Sequence, residues 1–93
     1  MRPEMGKAAL VFTSELMRAA RALVRWEQRD LADASSVSLP TIKRLESKPG
    51  FMAAHMSTLT ALKRALETAG VEFIDENGGG AGVRLRKRHR KQG

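Results

Sequence analysis

Gln28-Arg-Asp-Leu-Ala-Asp-Ala-Ser-Ser-Val-Ser-Leu-Pro-Thr-Ile-Lys-Arg-Leu-Glu46 reads as two short helices joined by a tight turn, and the rest of the chain is arranged to brace that unit. In its first half Leu31 and Ala32 face a core, Ala32 being small enough to let a second helix cross closely, while Arg29, Asp30 and Asp33 are left for solvent. Ser35 and Ser36 stop this helix, because short hydroxyl side chains bond nearby backbone groups in competition with helix continuation. Val37 closes the turn inward. Ser38 is a good N-cap for a second helix from about Leu39, and Pro40 falls in its first turn, where a missing N–H costs nothing. Ile42 and Leu45, three apart, share the buried face, so Leu39, Thr41, Lys43 and Arg44 point outward and make that face basic and hydrogen-bonding.

This stretch resembles the helix-turn-helix of the phage repressor and Cro group, the Xre-type transcriptional regulators. Gln28, Leu31, Ala32, Val37, Ser38, Thr41, Ile42, Arg44, Leu45 and Glu46 satisfy the family's pattern across the whole motif. One departure stands in the turn: the family's usual Gly, which takes a positive φ without strain, is Ser36 here. The resemblance implies a mostly α, four-helix repressor-like helix-turn-helix domain with a C-terminal β-hairpin. It further implies that Arg21, on the first helix, pairs with Glu46 at the end of the recognition helix.

Ninety-three residues suit one small domain with a marginal core. The chain has 42% hydrophobic residues and no Cys, which excludes disulfide and thiolate chemistry and suits a reducing cytoplasm. No stretch is long or apolar enough to span a membrane, and the apolar run before Phe12 is too short for a secretory signal, so no targeting segment is expected. Of the net charge of +7, six positive charges come from Arg84, Arg86, Lys87, Arg88, Arg90 and Lys91, leaving 11 basic against 10 acidic residues elsewhere. The tail therefore supports unspecific polyanion affinity, while specific DNA binding rests on the motif.

Upstream, a first helix is expected from Thr13 or Ser14 to about Arg25, with Phe12 as a staple before it and Leu16, Ala19, Ala20, Leu23 and Val24 as its inner stripe. Arg18 and Arg25 read as solvated, and Trp26 as core at the junction with the second helix. Downstream, Lys48-Pro-Gly-Phe51 is a turn signal, Ser57 is the expected cap of a fourth helix striped by Leu59, Leu62, Ala65, Leu66 and Ala69, and Gly70 fits a left-handed stop. Val71-Glu-Phe-Ile-Asp75 and Val83-Arg-Leu-Arg86 alternate as strands around a Gly-rich connection, which predicts a hairpin whose Phe73, Val83 and Leu85 need cover from the helices or from a second subunit. The domain plan is thus 1–12 extension, 13–70 helix-turn-helix domain, 71–86 hairpin and possible dimerisation element, 87–93 basic tail.

The Gly run lacks the Lys-Ser/Thr and following helix of a phosphate loop. His55 and His89 have no sequence neighbours suited to metal or acid–base work, so neither an enzyme, a metal nor a cofactor is expected. By analogy with the family, Gln28, Ser38 and Thr41 hold phosphates of double-stranded DNA, and Lys43 and Arg44 reach guanine O6 and N7 in the major groove. Leu39 and Pro40 offer only apolar contact to thymine methyl groups, and Arg29 and Lys48 complete the expected DNA-binding set. The expectation is a homodimeric cytoplasmic regulator, more a repressor than an activator, that associates with the nucleoid. Its rivals are an antitoxin or accessory DNA-binding subunit of a protein complex, and a nonspecific binder dominated by the tail.

Overall fold

The computed structural model describes residues 12–76 and 78–86. Residues 1–11 of the expected extension and the 87–93 tail, with His89, lie outside the described residues. Four helices, α1 (Ser14–Leu23), α2 (Gln28–Ser35), α3 (Leu39–Glu46) and α4 (Met56–Thr68), precede a two-stranded antiparallel hairpin of β1 (Val71–Ile74) and β2 (Gly82–Leu85). The fold is mostly helical with a C-terminal hairpin, as the sequence predicts.

Helix α1 starts where expected, with the Thr13 hydroxyl accepting from the Leu16 N–H, but it ends two residues early. Val24 is the C-cap, Arg25 takes φ 60°, and the N–H groups of Arg25 and Trp26 return to the carbonyls of Ala22 and Arg21. That is a Schellman stop with Arg in the place usually given to Gly. The inner stripe is also rotated. Ser14, Met17 and Ala20 are buried, whereas Ala19 and Leu23 are exposed and Leu16 and Val24 only half-buried against the core. The stripe turns because two polar side chains of α1 have partners to bury against: the Ser14 hydroxyl donates to the Lys48 carbonyl at 2.7 Å, and Arg21 meets Glu46. Phe12 is core rather than extension, its ring packing edge-on to Phe73 with centroids 5.4 Å apart.

Helix α4 begins at Met56 with His55 as N-cap and no side-chain cap bond, so the cap lies two residues before the expected Ser57. Its Leu62, Ala65 and Leu66 are buried with Leu59 packed beside them. Gly70 follows at φ 118°, and β1 pairs with β2 in the register Val71 to Leu85 and Phe73 to Val83. Val71 is fully buried, and Phe73 and Val83 pack on the helical core, so the helices themselves cover most of the hairpin. Lys63 Nζ stands 5.4 Å from the Phe73 ring centroid, and Arg86 donates to the Glu67 carbonyl at the end of α4. Leu85 remains 48% exposed.

Candidate nucleic-acid interface

The turn between α2 and α3 is built as its residues require. The Ser35 hydroxyl donates to the Leu31 carbonyl at 2.7 Å and accepts from the Val37 N–H at 3.1 Å, while Ser36 takes φ 63°, the left-handed conformation that Gly would hold without strain. Ser38 then caps α3 by accepting from the Thr41 N–H, and its hydroxyl donates to Thr41 Oγ1 at 2.8 Å. At the other end of α2, the Asp30 carboxylate accepts from the Glu27 N–H at 2.8 Å, so Asp30 fixes the helix start while remaining exposed to solvent, as expected.

Inward, α3 presents Ile42, Leu45 and the largely buried Glu46. The Glu46 carboxylate takes a two-pronged bond from Arg21, Nε to Oε2 at 2.8 Å and Nη2 to Oε1 at 2.7 Å, as the family resemblance implies. Three further bonds complete the knot. Gln28 Nε2 donates to Glu46 Oε1 at 2.9 Å, Arg21 Nη1 to the Trp26 carbonyl at 2.8 Å, and Arg18 Nη1 to the Glu46 carbonyl at 3.0 Å. Gln28, expected on a phosphate, thus has an amide N–H committed to the knot, and Arg18, exposed as expected, also reaches across to the Glu46 carbonyl. One carboxylate therefore fixes the orientation of α3 against both α1 and the start of α2.

Outward, helical geometry sets Pro40 and Arg44 opposite the buried residues, with Lys43 on the flank shared with Glu46 and Thr41 on the flank toward α4. Leu39, expected outward, is half-buried, as is Thr41, while Ser38, Pro40, Lys43 and Arg44 are exposed. Arg29 and Lys48 are exposed as well. Arg44 turns toward the α3–α4 connection, where its Nη1 lies 3.4 Å from the Ala53 carbonyl.

That connection is pinned to α1. The Gly50 carbonyl accepts from the Ser14 N–H at 3.0 Å, the Gly50 N–H donates to the Glu15 carboxylate at 3.1 Å, and Thr13 and Phe51 form a bridge. The Gly50 N–H holds the Glu15 carboxyl below its ordinary range, assisted by the backbone of Glu15 itself. Phe51 nevertheless stands 74% exposed. Among the described residues no group of His, Asp and Glu is placed to hold a metal ion, and no helix is long and apolar enough to cross a membrane.

The sequence alone did not indicate the roles of Ser14, Glu15, Arg18 and Met52, whose partners or packing lie far along the chain. Compared with known proteins, the chain matches no family model, and no curated protein is significantly similar to it.

Proposed function

We propose that the protein is a sequence-specific DNA-binding transcriptional regulator of the Xre type, a repressor acting as a homodimer in the cytoplasm, that lays α3 in the major groove. The observation that carries this reading is the mounting of α3. It is a short, Ser-capped helix whose inner side is locked by the Arg21–Glu46–Gln28 knot and whose outer side carries Pro40, Lys43 and Arg44 free of core contacts. A helix so braced holds its side chains in fixed register, which base-edge recognition requires. Repression follows from occupancy of a promoter.

Selection of bound duplexes from a random library, followed by mobility shift on the recovered sequence and a scrambled control, tests the reading. A recovered motif bound at least about a thousandfold more tightly than the control is expected. Equal binding of both, with a steep salt dependence, would instead leave a nonspecific polyanion binder.

A further inference from the structure

Toward α4 the outward face of α3 opens into a groove that adds groups from the α3–α4 connection and from α4 to its own. Thr41 and Arg44 from α3, Ala53, Ala54 and His55 from the connection, and Thr58 from α4 line an open cleft of about 380 Å³. Two hydroxyls, an imidazole and a guanidinium converge there with no carboxylate among them. The two alanines leave the floor low. Arg44 is already turned into this cleft, yet the bond that keeps it there is long, Nη1 to the Ala53 carbonyl at 3.4 Å, at the weak end for an N–H donor. A phosphate oxygen offers the same guanidinium a charge-assisted bond of about 2.7–2.9 Å, roughly twice as strong as a neutral one, and often a second parallel bond.

Position adds to chemistry. The cleft lies where the outward face of α3, at Arg44, passes through Thr41 to its α4 flank, so when α3 enters a major groove the cleft meets the groove wall, where the sugar–phosphate strand runs. We infer that Arg44, with Thr41, His55 and Thr58, forms a seat for one backbone phosphodiester, and that Arg44 positions α3 on the strand instead of reading a guanine. Hydrogen-bonding readout from α3 then falls to Lys43, with Pro40 offering apolar contact. This assignment rests on the DNA-binding reading above and changes which residue carries its specificity.

The experiment compares the full chain with Arg44→Gln and Lys43→Ala on the selected duplex, on its single-base variants and on scrambled DNA, across a salt series. Arg44→Gln should weaken cognate and scrambled binding alike, by about 10- to 100-fold, with base preferences unchanged. It should also flatten the dependence of log K on log salt by about 0.9, the loss of one phosphate contact. Neutralising single phosphates with methylphosphonate should reveal one position per half-site that weakens the wild type and leaves Arg44→Gln indifferent. Lys43→Ala should relax preference at a base pair. Preference lost at one base pair in Arg44→Gln, with the salt slope and the methylphosphonate profile intact, overturns the assignment. If the wild type selects no sequence, the regulatory reading fails, and the seat is then judged on scrambled DNA alone: an unchanged salt slope in Arg44→Gln removes it. Circular dichroism melts of both variants, whose substituted side chains are exposed, check that the fold is retained.

Discussion

Glu46 is the residue on which the orientation of α3 depends, because its side chain is only 4% exposed and its two oxygens accept three bonds from Arg21 and Gln28. Removing the guanidinium would leave a buried carboxylate short of its charge partner, so Arg21→Ala should cost about 3–5 kcal/mol, far above the 0–1 kcal/mol of a surface pair. Against a typical total of about 5–15 kcal/mol, that is enough to unfold a weak domain. A double-mutant cycle with Arg21→Met and Glu46→Leu, read by urea denaturation, should return a coupling well over 1 kcal/mol, and additivity of the two changes would dismiss the pair as a determinant. Ser36 is a strained residue of the opposite kind. It holds φ 63° where the left-handed region costs an L-residue roughly 1–2 kcal/mol, while Gly would lose about 0.5–1 kcal/mol in unfolded-state entropy. Ser36→Gly should therefore raise stability by up to about 1 kcal/mol, and a lowered melting temperature would show that the Ser36 side chain is needed in the turn.

At the scale of elements, what was legible in the sequence was local. Caps, turn residues and the spacing of Ile42 and Leu45 lie within a few positions of one another, so α2, its turn and α3 fall close to where the sequence places them. The inner face of α1 could not. Leu16, Ala19, Ala20 and Leu23 form a more apolar stripe than Ser14, Met17, Ala20 and Arg21, and the choice is made by Lys48 and Glu46, 34 and 25 positions away from their partners. Its C-terminal stop was hidden for a related reason, since Arg25 fills a position that signals itself only when it is Gly. The same remoteness hid the contact that moors the α3–α4 connection, Glu15 with the Gly50 N–H, and this contact makes a pH-dependent prediction. The folded pKa of Glu15 is lowered from its ordinary 4.5, chiefly by the Gly50 N–H, and that of Glu72 is lowered by its bond and charge pairing with Arg84. A depressed carboxyl contributes stability that is fully present above the unfolded value and is lost as pH falls through the folded one. Urea midpoints should accordingly hold near neutrality and decline below about pH 4.5, with a shallower decline in Glu15→Gln and in Glu72→Gln. Parallel decline in all three proteins would assign the acid sensitivity to other groups.

At the scale of the whole molecule, each chain offers a single α3, and reading two successive turns of a duplex requires two chains. The hairpin is the place where the second chain is proposed to meet the first. The helices cover Val71, Phe73 and Val83, but Leu85 at the end of β2 is 48% exposed, and a two-stranded sheet leaves both outer edges able to pair with another strand. A two-fold contact there would set the two recognition helices in opposite senses, so the selected DNA site should be a pseudo-palindrome with half-sites about 34 Å apart, or a multiple of that. Leu85→Arg places two like charges across such a contact at little cost to the folded monomer, whose own core does not use that side chain fully. Light scattering should show the wild type as a dimer at micromolar concentration and Leu85→Arg as a monomer, with the variant binding an isolated half-site as the wild-type monomer does but losing the gain from the second half-site. A wild-type monomer that binds one unrepeated site would reject the dimer altogether. A variant that stays dimeric would instead move the contact away from the hairpin, with the exposed Phe51 and Met56 as the next surface to substitute.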